Sequence, residues 1–208
     1  MPKVRSGLLD CMHGPENTFT LSSPIGNLEL ICCAKGVHAL NLSSYHDGNS
    51  FKPITETEVK IIDKRYDDNG YTYKPALDSV QWLNTYFHKL PNLPCVRQPV
   101  ICHLMQLTKC SRSSHVSFTT RVWHTLLKKV PVGQTLSYGR LALLSGSTAK
   151  ASRAVGQAMR TNPVMIIIPC HRVILANGMM GNYASGKKND VKAWLLRHES
   201  VQYAFDKH

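Results

Sequence analysis

One short segment of the sequence places a cysteine beside two side chains that can carry positive charge. An apolar run over residues 166–168 leads through a proline to Cys170, His171 and Arg172. Cationic and hydrogen-bonding neighbours lower the pKa of a thiol and position its reactive form, the thiolate. The pattern therefore favours a nucleophilic Cys170, with an inert thiol at the end of a buried strand as the alternative.

His171 is the candidate base for this cysteine. Adjacent side chains of an extended chain point in opposite directions, so His171 would reach the sulfur through a backbone turn or a water molecule. A catalytic histidine also needs an acceptor that holds its tautomer and stabilises its cation. The second half of the chain offers only Asp190, Glu199 and Asp206 as acids. Glu199 is favoured, because it lies at the end of a predicted helix that can pack against a loop.

The positive charge of the chain is concentrated in its second half. Residues 1–100 contain 10 Lys or Arg and 10 Asp or Glu, whereas residues 101–208 contain 15 and 3, so the second half carries the whole net charge of +12. A solvated basic surface would account for this excess. Its concentration in one half nevertheless favours a polyanionic partner, and we expect nucleic acid.

The sequence also argues against several classes of protein. Its first residues contain no apolar segment typical of a signal peptide, and its longest strongly apolar run, residues 164–168, is too short to cross a membrane. The seven cysteines are an odd number at irregular spacings, which argues against a disulfide framework. We expect an intracellular soluble protein with reduced thiols and no membrane partner.

The first half of the chain predicts a small antiparallel sheet followed by a helix. Residues 28–32 and 37–42 have the composition of strands and are separated by a turn at Lys35-Gly36. Residues 43–76 are polar and interrupted by glycine and proline, with a strand or short helix expected near residues 59–62. Asp78 is the predicted N-cap of an amphipathic helix.

A proline-containing, aperiodic stretch over residues 91–116 is the predicted linker. It divides the chain into an N-terminal domain, residues 1–112, and a C-terminal domain, residues 113–208. The predicted fold class is therefore α+β. A small antiparallel-sheet domain with a helix is followed by a mainly helical domain that contains a helix-turn-helix and Cys170.

Four helices are predicted in the second half. Their predicted N-caps are Ser117, Ser137, Thr148 and Asp190. The second helix, residues 138–144, and the third, residues 149–160, are separated by a short turn that contains Gly146. Two helices joined in this way form the helix-turn-helix pattern of DNA-binding proteins.

The third helix has the composition of a helix that docks on DNA. Arg153, Gln157 and Arg160 recur on one face, opposite an apolar stripe, and the small residues Ala149 and Ser152 would let the backbone approach a partner closely. A core helix with a solvated face would show the same periodicity. The preceding turn and the regional charge favour DNA.

Several short motifs follow one another in a fixed order along the chain. They are Arg153-Ala154-Val155-Gly156, Met159-Arg160-Thr161-Asn162-Pro163, Pro169-Cys170-His171-Arg172-Val173, Gly181-Asn182-Tyr183 and Trp194-Leu195-Leu196-Arg197-His198-Glu199. In this order they resemble the O6-alkylguanine-DNA alkyltransferases, and the resemblance covers residues 118–200 densely. Residues 23–30 and 82–88 are similar, more weakly, to the N-terminal domain of the animal enzymes.

The resemblance implies a repair reaction in which the alkyl group of O6-alkylguanine passes irreversibly to the protein's own cysteine. Cys170 would be the acceptor, His171 would take its proton through water, and Glu199 would orient His171. Tyr138 matches the family tyrosine that donates a proton or hydrogen bond to the base. Asn162 matches the asparagine that braces the helix-turn-helix against the active site. No catalytic cofactor is implied.

The resemblance also implies base flipping, since O6 is inaccessible inside a duplex. Arg153 matches the arginine that fills the vacated place in the base stack, and binding in the minor groove would depend more on salt than on sequence. The implied DNA contacts are Arg153, Tyr138, Ser152, Ala149, Gln157 and Arg160.

The implied substrate pocket contains one departure from the family pattern. Its residues are Val173, Tyr183, Ala184, Ser185 and Arg160, and the carbonyls of Cys170 and Val173 would accept from the guanine amino group. Family members commonly have Asn-Tyr-Ser-Gly-Gly where this chain has residues 182–186, Asn-Tyr-Ala-Ser-Gly. The expected consequence is a change in pocket size and in the donors that reach O6.

A structural zinc site is implied for the N-terminal domain. Cys33 and His38 resemble a pair that binds zinc in animal homologues together with an earlier cysteine and a later histidine, and such ligands suit tetrahedral zinc. The predicted ligands are Cys11, Cys33, His38 and His103. Cys32, Cys102 and His115 are competing candidates, and unliganded thiols beside a small sheet are the alternative to a metal site.

Two other functions account for part of the sequence. A non-catalytic protein that binds alkyl lesions would have no use for Cys170, His171 and Glu199 together. A cysteine hydrolase would leave Arg153 and the basic second half unexplained. The leading prediction is an alkyltransferase that acts as a monomer on double-stranded DNA containing O6-alkylguanine, in the nucleus and also, as a second location, in the cytoplasm.

Overall fold

The computed structural model describes residues 11, 13–43, 51–65, 72–102, 116–201 and 203. Within these residues, the first half of the chain forms a four-stranded sheet and a helix, and the second half is mainly helical. The predicted α+β class is therefore confirmed. The predicted domain boundary between residues 112 and 113 lies outside the described residues and stays a prediction.

The sheet of the first half is antiparallel throughout. Its strands are β1 (Asn17–Leu21), β2 (Leu28–Cys33), β3 (Gly36–Leu42) and β4 (Ile61–Arg65), in the order β3-β2-β1-β4. Strands β2 and β3 form the predicted hairpin. Strand β1 was not predicted, although Phe19 and Leu21 alternate in it as buried residues. A period of two over five residues is a weak signal in a sequence without its partners.

Helix α1 (Lys74–His88) begins earlier than predicted, so Asp78 is not its N-cap. The N-cap is Tyr73, and Pro75 occupies the first turn, where the missing proline N–H removes no helical hydrogen bond. Asp78 instead accepts from Nζ of Lys74, one turn earlier, at 2.7 Å. The extra turn lengthens the face that α1 packs against the core.

The helices of the second half are α2 (Phe118–Lys129), α3 (Tyr138–Leu144), α4 (Ser152–Arg160) and α5 (Asn189–His198). Two of the predicted caps are present. The hydroxyl of Ser117 accepts from the backbone N–H of Thr120, and that of Ser137 from the N–H of Arg140. These bonds satisfy helix-end donors that would otherwise be unpaired.

The other two predicted caps are wrong. Thr148 makes no side-chain cap, because Ala149–Ala151 form a 3-10 turn before α4 begins. Helix α5 begins at Asn189, so Asp190 lies in its first turn. The carboxylate still favours the helix there, because it faces the positive end of the helix dipole. A short parallel pair, β5 (Leu136–Ser137) and β6 (Val173–Ile174), connects the start of α3 to the cysteine segment.

One hydrophobic core joins the two halves of the chain. Leu40 of β3, Leu83 of α1 and Leu126 of α2 belong to the same buried cluster. Strand β3 also anchors the segment before Cys170, since the N–H of Leu40 donates to the carbonyl of Pro163 and its carbonyl accepts from Met165. No helix in the described part of the chain is long and apolar enough to cross a membrane.

Candidate active site

Cys170 begins a single 3-10 turn, Cys170–Arg172, at the end of a buried segment. The turn sends the two side chains into different surroundings, since Cys170 lines a cavity and the fully buried His171 contacts Glu199. Ile166, four residues earlier, has a φ of 68°. This left-handed backbone is rare for a β-branched residue. Packing around the fully buried Ile166 side chain holds the bend that leads into the turn.

Asn162 holds the sulfur of Cys170 in place. Its Nδ2 donates to Sγ of Cys170 at 3.0 Å and to the carbonyl of Ile168 at 2.9 Å, while its Oδ1 accepts from the N–H of Val164 at 3.0 Å. The hydroxyl of Tyr183 lies 3.5 Å from the same sulfur. Donors directed at the sulfur stabilise its anionic form, so this arrangement suits a nucleophilic thiolate.

Cys170 faces a cavity of about 670 Å³. Its other walls come from α3, α4 and the loop before α5, and they include Tyr138, Gly139, Ala149, Ser152, Arg153, Gly156, Met159, Arg160, Leu175, Asn182, Tyr183 and Ala184. Burial raises the pKa of Tyr138, and Cys170 adds to the effect. The phenol therefore stays protonated at neutral pH and can donate a hydrogen bond to a group bound in the cavity.

Behind the cysteine lies a buried network centred on Glu199, which is 3% exposed. Its Oε1 accepts from Nε2 of His171 and from Nη2 of Arg172, both at 2.8 Å, and its Oε2 accepts from Nε of Arg172 at 2.7 Å. Because the carboxylate accepts, Nε2 carries the hydrogen, and Nδ1 of neutral His171 is an acceptor. Nδ1 is buried and has no hydrogen-bond partner among the residues that the structure describes.

The network sets the protonation states that proton transfer needs. Burial alone would raise the pKa of Glu199. The charge that His171 carries at acidic pH, the charge of Arg172 and the hydrogen bonds of both residues outweigh burial and hold that pKa below its usual value. Burial lowers the pKa of His171, and the opposing attraction of Glu199 does not reverse the effect. At neutral pH, Glu199 is a carboxylate and His171 is a neutral imidazole, as a general base must be.

Comparison with known proteins identifies the family. A family model described as 6-O-methylguanine DNA methyltransferase, DNA binding domain, matches residues 117–201. The methylated-DNA–protein-cysteine methyltransferase of Rattus norvegicus is 38% identical over 187 residues, which cover 87% of this chain and 80% of the relative. The chain belongs to the methylated-DNA–protein-cysteine methyltransferase family.

Other members of the family support the assignment. The Homo sapiens methylated-DNA–protein-cysteine methyltransferase is 39% identical over 180 residues, which cover 86% of this chain and 78% of that protein. A crystal structure of Mycobacterium tuberculosis OGT in complex with DNA is similar with a TM-score of 0.57 and 30% identity, over 86% of this chain and 90% of that one. The predicted resemblance to this family is confirmed.

The structure brings most of the predicted site residues of this methyltransferase together. Those that line the cavity are Cys170, Tyr138, Ala149, Ser152, Arg153, Arg160, Tyr183 and Ala184. Asn162, His171 and Glu199 lie directly behind it, in the contacts described above. Ser185 belongs to the 3-10 turn Ala184–Gly186, and its side chain lies outside the described part of the structure.

Two of the predicted DNA and pocket contacts, Gln157 and Val173, do not line the cavity. Gln157 is exposed and accepts from Nη2 of Arg160 at 2.7 Å. The side chain of Val173 is fully buried, and its carbonyl accepts from Nζ of Lys192 at 2.7 Å. The lysine ammonium, itself 1% exposed, therefore already contacts the carbonyl that was predicted to accept from the guanine amino group.

Sequence reasoning missed three donors to Glu199: Arg172, described above, and two from more distant segments. The hydroxyl of Tyr86, on helix α1, donates to Oε1 at 2.8 Å, and the backbone N–H of Gly133 approaches Oε2 at 3.4 Å. In the sequence, Tyr86 is one of several apolar positions on the buried face of a helix. No local signal distinguishes it, because its partner is 113 residues away.

A second group of chemically active side chains lies in the N-terminal half. Cys11, His13, Cys33 and Cys102 place their ligand atoms within 4.8 Å of one another. Gly36 permits this approach, since a Cβ atom there would lie 2.8 Å from the backbone nitrogen of Cys102. Two of the four predicted zinc ligands, Cys11 and Cys33, belong to the group.

The other predicted ligands do not belong to this group. His38 is buried, and its Nδ1 contacts Oε1 of Glu16 at 3.1 Å. His103 and the competing candidate His115 lie outside the described residues. His13 was not considered from the sequence, because Cys11-x-His13 is too short a spacing to recognise without the two cysteines that the fold brings to it.

Proposed function

We propose that this methyltransferase repairs O6-alkylguanine in double-stranded DNA by moving the alkyl group to Sγ of Cys170. The observation that carries the proposal is the position of Cys170 between a cavity and a buried base. Sγ faces a space of about 670 Å³, and the residue that follows it, His171, contacts the carboxylate of Glu199 at 2.8 Å.

The proposed reaction is a displacement at the alkyl carbon. The thiol proton of Cys170 passes through a water molecule to Nδ1 of His171, and Glu199 stabilises the imidazolium. The thiolate then forms an S–C bond while the C–O6 bond breaks, and the bonding pair stays on the guanine. Tyr138 donates a hydrogen bond to the guanine as its negative charge develops, and a proton returned from His171 restores neutral guanine.

The product explains why the protein would act only once. The covalent product is a thioether, which has no easily displaced group on sulfur, and no second nucleophile in the cavity is described that would remove the alkyl group. The reaction needs no cofactor, because the alkyl group is already attached to a leaving group. Each chain therefore repairs a single lesion.

DNA binding is assigned to helices α3 and α4, which we propose form a helix-turn-helix. Arg153 is exposed at the start of α4 and lines the cavity that Cys170 faces. This position suits a side chain that replaces a flipped base in the stack while the base enters the cavity. With Arg160 on the same rim, binding should depend strongly on salt. Genomic DNA as the substrate implies nuclear residence.

The proposed function is tested by transfer of a label. The protein is mixed with duplex DNA that carries O6-methylguanine with a labelled methyl group, and wild type is compared with Cys170→Ala. We expect label on the protein, up to one per wild-type chain, and none on the variant. Tight binding of the lesion by wild type without transfer would instead establish a lesion sensor. Turnover of many substrates per chain would establish a hydrolase.

We also propose that Cys11, His13, Cys33 and Cys102 hold a structural zinc ion. In a tetrahedron, zinc–sulfur bonds of about 2.3 Å place the sulfur atoms about 3.8 Å apart. The Sγ atom of Cys102 lies 3.8 Å from those of Cys11 and Cys33 and 3.4 Å from Nδ1 of His13. The ion would tie residues near the N-terminus to the β2–β3 hairpin and would take no part in alkyl transfer.

A pair of cysteine variants tests the zinc proposal. We expect about one zinc ion per wild-type chain, and a chelator should lower Tm by roughly 5–10 °C, because the ion binds only the folded state. Cys102→Ser should reduce the zinc content and abolish the effect of the chelator. Cys95→Ser is the matched control, since Cys95 is exposed and outside the group. Equal zinc content in both variants would refute the assignment.

A further inference from the structure

We infer that Tyr86, on helix α1 in the first half of the chain, is a positioning residue for the chemistry at Cys170. It completes the hydrogen-bond network of Glu199 and thereby adjusts His171 as a base. Its role rests on the proposed transfer of the alkyl group to Cys170. The consequence is that the active site is not contained in the second half of the chain.

The contact between Tyr86 and Glu199 is direct and fully buried. The Tyr86 hydroxyl lies 2.8 Å from Oε1 of Glu199, and the tyrosine side chain has no exposed surface. Burial raises the pKa of Tyr86 well above its ordinary value, and the charge of Glu199 raises it further. The phenol is therefore protonated at neutral pH and donates to the carboxylate.

The ring of Tyr86 is held by aromatic neighbours from both halves. It stacks on Trp82, with ring centroids 5.6 Å apart, and meets Phe87 and His198 edge-on at 5.2 Å and 5.3 Å. His198 also donates through Nε2 to the carbonyl of Tyr86 at 2.8 Å. Because His198 directly precedes Glu199, Tyr86 of helix α1 contacts two adjacent residues at the end of α5. The hydroxyl of Tyr86 is therefore held in one position and does not move with the carboxylate of Glu199.

Tyr86 shares one oxygen atom with the catalytic histidine. Oε1 of Glu199 accepts from Tyr86, from His171 and from Arg172. Each donor withdraws negative charge from this oxygen, so each weakens the attraction that Glu199 exerts on protonated His171. Loss of the tyrosine hydroxyl would concentrate charge on the oxygen, and the pKa of His171 would rise.

The other charged groups that face His171 oppose its protonation. Arg172 on the same turn and Lys192 on α5 both lower its pKa, burial lowers it most, and Glu199 alone raises it. Transfer requires neutral His171, so the rate falls as pH falls through this pKa. A change that raises the pKa must therefore move the acidic limb of the rate profile to higher pH.

The variant Tyr86→Phe removes the hydroxyl and keeps the ring. Because Glu199 loses a hydrogen bond that holds it against His171, we expect transfer from O6-methylguanine DNA at neutral pH to slow about tenfold. Because the pKa of His171 rises, we expect the acidic limb of the pH profile to move upward by about half a unit. Tyr73→Phe is the matched control. Its hydroxyl lies 3.4 Å from the carbonyl of Pro15, in an exposed contact away from the network. Both the rate and the limb should be unchanged in this control.

A second substitution should shift the acidic limb of the pH profile in the opposite direction. Replacement of Tyr86 by 3-fluorotyrosine makes the phenol a stronger donor in nearly the same volume, so the acidic limb should move to lower pH. An acidic limb that stays in place in the fluorinated protein, or in folded Tyr86→Phe, would overturn the role of Tyr86. Absence of label transfer by wild type is a separate result, which would refute the proposed function itself.

Discussion

Glu199→Gln is expected to destabilise the protein and to disable it. A glutamine keeps one oxygen that can accept hydrogen bonds, but it places an NH2 group where the other oxygen of Glu199 accepted them. The guanidinium of Arg172, which is 6% exposed, would remain buried without a counter-charge. Removing one partner of a buried ion pair typically lowers the free energy of unfolding by about 3–5 kcal/mol. The alkyl-transfer rate should fall by about 100-fold or more, since His171 loses the group that stabilises its cation.

The measurement is denaturant unfolding together with single-turnover transfer at neutral pH. Glu29→Gln is the matched control. Glu29 also pairs with an arginine, Arg65, at 3.0 Å, but their side chains are 37% and 67% exposed. An exposed pair of this kind contributes about 1 kcal/mol at most. If the two variants were equally stable and equally active, the network around Glu199 would have neither role.

Arg153→Ala is expected to separate DNA repair from the reactivity of the cysteine. Without a side chain to occupy the gap in the base stack, the flipped state loses its stabilisation, and transfer from duplex DNA should slow about 100-fold. Transfer from a free O6-alkylguanine base needs no flipping. Its rate should stay within about twofold of wild type, because Arg153 lies on the rim of the cavity and makes none of the described contacts with Sγ of Cys170.

Arg140→Ala provides the comparison for charge alone. Arg140 is exposed on α3 and does not line the cavity, so its loss removes one positive charge without removing an intercalating group. We expect a modest loss of DNA affinity that high salt diminishes. Equal slowing of Arg153→Ala on duplex DNA and on the free base would show that Arg153 acts on the pocket rather than on flipping.

The central chemistry of this site could be predicted because its residues carry local signals. Cys170, His171 and Arg172 are consecutive, and Glu199 is one of only three acids in the second half of the chain. Ser117 and Ser137 were recognised as caps for a similar reason, since a cap bonds to a residue three positions away. Interactions between residues only a few positions apart can be recognised from the sequence alone.

The features that were missed depend on distant contacts. In the sequence, Tyr86 has the pattern of a core residue of α1, and only the folded structure places Glu199 beside it. His13 is recognisable as a ligand only once the fold brings Cys33 and Cys102 to it, and a glycine in the hairpin allows that approach. The start of α1 was misplaced because Asp78, a common cap residue, forms an ion pair inside the helix instead. That error is the exception, because both the predicted cap and the observed ion pair are local interactions.

The bonds of Asn162 link the chemical state of the Cys170 sulfur to the position of helix α4. A single amide nitrogen bonds both this sulfur, at 3.0 Å, and the backbone carbonyl of Ile168, and Asn162 follows α4 by only two residues. Alkylation adds a carbon group to a sulfur that lies only 3.0 Å from this nitrogen, so the alkyl group crowds the amide, and the thioether sulfur is only a weak acceptor. A spent molecule should therefore hold α4, the proposed DNA-binding helix, less firmly than a fresh one. We expect alkylation of Cys170, which inactivates the chain, also to promote release of the repaired DNA.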